Sequence, residues 1–257
     1  RALALLNDPN PIAMPEEVMG DLVVNHWVDA NHKRGLWRVS PLAAYLAGKP
    51  EGRALVDVGA LGQAEGKSWV WHGADCLPPE NRRCLVSLSP GGSDADVIRE
   101  FDLATGRFVE GGFVIPEGKN NAAWVDQDTL LVARVEGAGT ATRSGYPRIV
   151  REWKRGTPWS AAKVVAQGTE ADIGISPFAV MDGDTRRIAI SRNVGFYESR
   201  VSMRAPDGKW VELPVPQTAE FQDVVSGQAI YTLVEPLRGF GPGSVVAYDI
   251  AQMLAGR

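Results

Sequence analysis

From residue 68 onward, the chain repeats the same order of short strand-like segments at intervals of about 50 residues. Apolar first segments begin near Trp69, Ala122, Ile173 and Phe221, and each is followed by a polar turn and further strand-like segments. A period of this length, with several strands in each unit, is typical of propeller blades rather than of a β-sandwich. The sequence therefore predicts an all-β fold with about four four-stranded antiparallel blades.

Residues 81–116 show one repeat in full, NRRCLVSLSPGGSDADVIREFDLATGRFVEGGFVIP. An apolar run at 84–88 precedes Ser, Pro, Gly and Asp at 89–94, and apolar and polar residues then alternate at 97–103. A glycine-containing reversal and a further strand at 107–115 complete an antiparallel meander.

All four repeats contain the same kinds of segment. Second strands are predicted at 85–88, 130–135, 187–191 and 230–234, third strands at 97–103, 148–154, 200–205 and 244–250, and fourth strands at 107–115, 163–166 and 209–215. The last unit lacks a fourth strand. Seven such units would need about 350 residues at this period, so the sequence predicts a partial propeller of a seven-bladed type.

The residues before the repeats predict an arm and a hairpin. In order, they are a helix-compatible stretch at 2–7, an extended linker with three prolines at 7–17, strands at 21–28 and 36–40, about one helical turn at 41–46, a strand at 53–58 and a helix-permissive stretch at 60–65. We expect residues 1–52 to form an N-terminal arm with a β-hairpin, and residues 53–257 to form the partial β-propeller.

Composition narrows the classes of partner. The chain has 257 residues, of which 44% are hydrophobic and 23% charged, as in globular proteins with a large core. Its 27 basic and 31 acidic residues give a net charge of −4 without a basic stripe, which argues against a nucleic-acid partner. It has no apolar run of about 20 residues and no signal-peptide pattern at its start, so we expect no membrane partner. The compartment stays open between cytoplasm and periplasm.

Two cysteines, Cys76 and Cys84, flank a proline-containing turn, where a disulfide is geometrically conceivable. Buried free cysteine is common, so we favour two reduced thiols that pack as small hydrophobic side chains.

No catalytic residue, metal site or cofactor is predicted. Ser93 lies in GGSDA, the nearest match to a nucleophile elbow, but an alternating strand follows it instead of a helix, and the three histidines precede or adjoin the first repeat. His26, Asp29 and His32 share one turn, yet polar residues gather at hairpin tips because these are exposed. Trp69 and Trp124, with Trp71 and Trp210, lie on predicted strands, and we interpret them as core rather than ligand-binding residues.

Several segments, in this order and spacing, resemble the prolyl oligopeptidase family of serine peptidases. They are NHWVDANHKRGLWRV at 25–39, RALVDVGAL at 53–61, CLVSLSPGGSDADVIREFDLATG at 84–106, SGYPRIVREWKRGTP at 144–158 and ISRNVGFYESRVSM at 190–203. The resemblance implies an N-terminal arm leading into a seven-bladed propeller that is stacked on an α/β-hydrolase domain. Chemistry would then reside on that domain of the same polypeptide, and this chain would filter and help to bind short peptide substrates.

Loops between second and third strands open on one face of a propeller, and the resemblance implies that this face looks toward the catalytic domain. Residues on or beside these loops offer guanidinium and aromatic surfaces suited to peptide carbonyls, carboxylates and proline rings. The candidate substrate-binding residues are Arg143, Tyr146, Arg192, Phe196, Tyr197, Arg200 and Phe240. The alternative for each of them is an ordinary solvent-exposed loop residue that binds no substrate.

A second function stays open, because a repeat fold alone does not fix function. The chain would then be a free-standing β-propeller that acts as an interaction scaffold. In either case, unpaired strand edges are templates for pairing, so the exposed edges of a partial ring predict either self-association or occlusion of the edge by the N-terminal arm, residues 1–30.

Overall fold

A computed structural model describes residues 14–49 and 52–256, so the predicted helix at 2–7 and most of the linker at 7–17 lie outside the described residues. The fold is all-β, and short antiparallel strands form sheets whose order follows the chain. The chain divides into two compact units, residues 1–117 and 118–257.

The first sheet of the first unit has four strands in the order β1-β2-β3-β4. They are β1 Glu17–Met19, β2 Leu22–Trp27, β3 Leu36–Pro41 and β4 Arg53–Asp57, and the short helix α1, Leu42–Leu46, follows β3. The predicted hairpin is confirmed as β2 and β3. Because β4 pairs with β3, the sheet crosses the division predicted between residues 52 and 53.

The second sheet of this unit is the meander predicted at 81–116, preceded by the strand at Trp69. Its strands are β5 Trp69–Cys76, β6 Arg83–Pro90, β7 Asp96–Asp102, β8 Arg107–Phe108 and β9 Val114–Gly118, and the helix α2, Val58–Glu65, precedes them. The Asp57 side chain caps α2 by accepting from Ala60 N at 2.9 Å, and Gly66, with φ of 63°, ends it.

One strand prediction was wrong in detail, because the strand expected at 107–115 is divided into β8 and β9. Gly111 has φ of 66°, and the chain turns there so that Phe113 N donates to the buried Glu100 carboxylate at 2.9 Å. A Cβ on Gly112 would lie 2.8 Å from Glu100 Oε2. The backbone therefore comes this close to Glu100 only because residue 112 has no side chain.

The core of the first unit joins its two sheets. Trp37 and Phe101 are fully buried, and their ring centroids lie 5.4 Å apart. Trp69 is also buried, and the half-buried Trp71 packs against the same cluster. The interpretation as core residues is confirmed for Trp69 and for Trp124, which is fully buried in the second unit, whereas Trp71 and Trp210 are only half-buried.

The favoured state of the cysteines was wrong, because Cys76 and Cys84 form a disulfide. The two residues are directly paired across β5 and β6, with Cα atoms 3.9 Å apart, and both are buried. Register places both thiols on one face of the hairpin, and spacing along the sequence does not show this register.

The second unit has three sheets, each a meander in chain order. The first contains β10 Asn120–Asp126, β11 Thr129–Arg134, β12 Ile149–Lys154 and β13 Lys163–Gln167, and the second contains β14 Gly174–Asp182, β15 Thr185–Asn193, β16 Ser199–Arg204 and β17 Trp210–Glu212. The third contains β18 Glu220–Val225, β19 Gln228–Thr232 and β20 Val245–Asp249, followed by the helix α3, Ile250–Leu254. The predicted repeats are confirmed, and in the described residues the last sheet has three strands.

The sheets of the second unit pack through apolar faces. One cluster includes Met203 and the fully buried Tyr231, and another includes Leu131 and Ile190. A polar contact also joins the second and third sheets, because the Asp182 carboxylate at the end of β14 accepts from Gly227 N, in the turn after β18, at 2.9 Å. Within the second sheet, the Arg187 guanidinium of β15 donates to the same carboxylate at 2.6 Å.

Candidate functional site

A pocket of about 310 Å³ opens in the second unit beside the loop that joins β15 to β16. Its lining consists of Ile173, Asn193, residues 195–199 and residues 217–220. Backbone hydrogen bonds fix these segments to one another, from Ile173 N to Asn193 O and from Ser199 N to Gln217 O, both at 2.8 Å. The pocket is therefore built on the ends of paired strands.

Two aromatic side chains stand at the tip of this loop. Val194 N and Gly195 N both donate to Glu198 O, at 3.0 and 3.2 Å, and this tight turn leaves Phe196 and Tyr197 at its outer end. Their exposed fractions are 86% and 83%, and their ring centroids lie 5.7 Å apart. Such exposed aromatic surface offers a flat apolar contact for a ligand.

The two predicted arginines of this loop flank it on β15 and β16, where Arg192 and Arg200 pair in register. Arg192 Nε lies 3.4 Å from the carboxylate of Asp172, and Arg200 Nη1 donates to Glu212 Oε1 at 3.0 Å. Both guanidinium groups are thus engaged with acids of their own unit, which reduces their capacity to bind a ligand carboxylate.

The loop between β11 and β12 meets the same region at Ile173. Thr142 Oγ1 and Ser144 Oγ donate to Ile173 O at 3.0 and 2.7 Å, and they place the exposed Arg143 between them. Tyr146 is 37% exposed, and the Lys119 ammonium lies 3.9 Å from its ring centroid. The structure therefore brings Arg143 and Tyr146 to the start of β14, next to a residue that lines the pocket.

Phe240 belongs to a different feature. Leu237 and Phe240 exchange two backbone hydrogen bonds of 2.9 Å around a reversal in which Arg238 and Gly239 have positive φ. Phe240 is 56% exposed, and it does not line the pocket beside Phe196.

Sequence reasoning missed several pocket residues. Glu198 belongs to the predicted loop, but only its neighbours were singled out. Residues 217–219 belong to the connection between β17 and β18, and Glu220 begins β18, whereas the sequence points only to loops between second and third strands. The exposed acids Glu198 and Glu220 are the signal in the sequence that points to these segments.

The turn with two histidines is organised around Asp29. Its carboxylate accepts from Trp27 Nε1 at 2.9 Å and lies 3.0 Å from His32 Nδ1, and these contacts hold the pKa of Asp29 well below its usual range. His26 instead stacks on Trp71, with its Nε2 3.3 Å from Arg34 O. No group of three or more His, Cys, Asp or Glu residues in the described ranges is arranged to hold a metal ion.

Ser93 lies in the turn between β6 and β7. Its Oγ accepts from Ala95 N at 3.3 Å, and Ser89 Oγ donates to its carbonyl at 2.8 Å. This is the strand-to-strand setting that the sequence predicts for Ser93.

Among residues 14–49 and 52–256, no helix is long and apolar enough to span a bilayer.

Comparison with known families identifies the chain. Residues 13–236 match the sequence model of the N-terminal β-propeller domain of prolyl oligopeptidase. The chain belongs to the prolyl oligopeptidase family. Its antiparallel sheets are blades of the β-propeller domain of that family.

Two curated relatives are similar over much of this chain. An uncharacterized peptidase of Sinorhizobium fredii is 38% identical over 264 residues, which cover 99% of this chain and 36% of the relative. An uncharacterized peptidase of Rickettsia prowazekii is 30% identical over 185 residues, which cover 68% of this chain and 26% of the relative. The chain thus spans about a third or less of the curated relatives that it matches.

Solved structures of this family share the fold. A post-proline cleaving enzyme from Rickettsia typhi superposes with a TM-score of 0.88 and 25% identity, over 98% of this chain and 39% of that enzyme. Oligopeptidase B from Leishmania major superposes with a TM-score of 0.68 and 12% identity, over 92% of this chain and 32% of that protein. At such low identity, the second similarity shows the fold alone.

Proposed function

We propose that this chain is the non-catalytic propeller portion of a prolyl oligopeptidase-like serine peptidase, and that it filters and helps to bind short peptide substrates. The main support is the pocket beside Phe196 and Tyr197, because it joins exposed aromatic surface to a cavity of about 310 Å³. A cavity of this size fits one or two side chains of a peptide rather than a folded domain. The family match supports the peptidase assignment.

In this proposal, the reaction takes place on an α/β-hydrolase domain of the same polypeptide. The serine nucleophile, acid and histidine would come from that domain, and no residue of this chain enters the chemical step. Ser93 is held in its turn by hydrogen bonds to Ser89 and Ala95, which supports its role as a turn residue. The propeller residues would act on substrate access and affinity.

Two measurements test the proposal. The chain alone should not hydrolyse a proline-containing chromogenic peptide, and it should bind peptides of about five to ten residues by calorimetric titration. Phe196→Ala with Tyr197→Ala should weaken that binding, because their exposed rings supply the contact surface. Hydrolysis that Ser93→Ala abolishes would contradict the assignment of chemistry to another domain. Absence of any peptide binding would favour the free-standing scaffold.

A further inference from the structure

The charged lining of the pocket beside Phe196 and Tyr197 is entirely acidic. Of the residues that line it, only Glu198 and Glu220 carry charge. Neither carboxylate has a hydrogen-bond or ion-pair partner within the described part of the chain. The pocket therefore presents two exposed negative charges whose attraction for a cation is not already satisfied.

Nearby basic residues do not neutralise these acids. Arg192 and Arg200 flank the loop, but they pair with Asp172 and Glu212 instead. Those two acids lie outside the pocket lining. Because neither arginine forms an ion pair with Glu198 or Glu220, the lining itself carries two negative charges and no positive one.

The aromatic pair adds a second feature that suits a cation. Phe196 and Tyr197 line the same pocket as the two acids, and their ring faces are open to solvent. Aromatic faces attract ammonium and guanidinium groups, and they also pack against the methylene stems of lysine and arginine. A long basic side chain matches both the rings and the carboxylates.

We propose that this pocket binds a lysine or arginine side chain of the peptide substrate. The inference rests on the proposed function, and it specifies the substrate class at this pocket. The methylene stem of the bound residue would lie against Phe196 and Tyr197, and its charged end would lie between Glu198 and Glu220. Selection would depend on charge and length rather than on the residue at the cleaved bond.

The test compares four peptides in calorimetric titrations with the full chain. The peptides share the same sequence except at one position, and one of them has a free N-terminus. Three are acetylated and amidated and carry lysine, norleucine or glutamate at one position, and the fourth carries norleucine with a free N-terminus. We expect the lysine peptide to bind roughly threefold to tenfold more tightly than the norleucine peptide, as exposed ion pairs and cation–π contacts allow. The glutamate peptide should bind more weakly than either. A preference for the free N-terminus over lysine would overturn the side-chain assignment.

The double variant Glu198→Gln with Glu220→Gln should remove the preference for lysine over norleucine. Asp184→Asn is the matched control, because it removes one exposed charge of the same unit outside the pocket. It should keep the preference. Circular dichroism checks that each variant is folded, and in the unmodified chain the preference should shrink in 0.5 M salt, where surface charges are screened.

The outcomes separate this inference from the proposed function. Equal binding of the lysine and norleucine peptides, or a preference that survives in the double variant, overturns the basic side chain as ligand but leaves peptide binding intact. Failure of all four peptides to bind contradicts the proposed function, and the inference falls with it.

Discussion

Arg192 and Arg200 lie directly opposite each other on neighbouring antiparallel strands, and each pairs with a different acid. Like charges in this position repel each other. The ion pairs of Arg192 with Asp172 and of Arg200 with Glu212 offset this electrostatic repulsion between the two arginines. The two pairs also determine how much guanidinium surface remains for a ligand.

Glu212→Gln should release Arg200 and strengthen the binding of acidic peptides by roughly threefold, since one exposed charge pair has this order of effect. Stability should change by less than about 1 kcal/mol, because Arg200 and Glu212 are 37% and 50% exposed. Peptide titration and thermal unfolding measure the two effects. Arg200→Ala in the same background should abolish the gain, and persistence of the gain would contradict the role of Arg200.

Asp182 should make the second unit sensitive to acid. The Gly227 N–H and the Arg187 guanidinium lower the pKa of Asp182 below its usual 3.8. Its contribution to stability is therefore present above about pH 4 and is lost as pH falls through the lowered pKa. Asp182→Asn should lower Tm at pH 7, and the difference from the unmodified chain should narrow at pH 2 to 3. An equal difference at both pH values would count against this account.

Tyr231→Phe should stabilise the chain. The Tyr231 hydroxyl is buried and has no hydrogen-bond partner among the described residues, and burial raises its pKa. An unpaired buried hydroxyl costs free energy, so its removal should increase the free energy of unfolding by about 1 kcal/mol. Urea unfolding measures the change. Tyr248→Phe, at a half-buried ring in contact with Tyr231, is the control and should be neutral to within about 0.5 kcal/mol.

Replacing both Cys76 and Cys84 by alanine should lower the free energy of unfolding by about 2 to 3 kcal/mol, as expected for a disulfide that closes a short loop. Reduction should destabilise the unmodified chain by a similar amount and leave the double variant unchanged. A lack of response of the unmodified chain to reductant would show that the thiols are free.

Gly112→Ala should destabilise the first unit by about 1 to 3 kcal/mol, since the new Cβ would crowd Glu100 Oε2 at 2.8 Å. Gly59→Ala provides the contrast. It lies in α2, where an added Cβ would meet no atom closer than 3.4 Å, and alanine favours the helix by roughly 0.5 to 1 kcal/mol. Equal losses at the two positions would contradict the contact with Glu100.

The repeats could be predicted because their signals are local. Alternation marks β7, and the turn after Asp182 contains Gly183 with φ of 60°, a conformation that glycine adopts readily. The three-residue strand β1 was missed because it is too short to show a period. The division between β8 and β9 depends on the approach of Gly112 to Glu100, which only packing reveals.

Only part of the candidate site could be predicted from the sequence, because packing between repeats brings some of its residues together. Phe196 and Tyr197 were found because aromatic residues stand out in a polar loop. Glu220 was missed because it reaches the pocket from the start of another sheet, and the packing of two repeats decides that placement. The engagement of Arg200 by Glu212 likewise depends on the pairing of β16 with β17.

The order of strands within the sheets bears on how the chain folds. Apart from β9, every strand pairs with the strand that precedes or follows it in the sequence. Hairpin contacts of this kind require the closure of short loops only. The paired residues within each sheet are therefore close in the sequence, and their hydrogen bonds can form early in folding. During synthesis, each meander can begin to form before the next has left the ribosome, which shortens the time that its edges stay exposed to other chains.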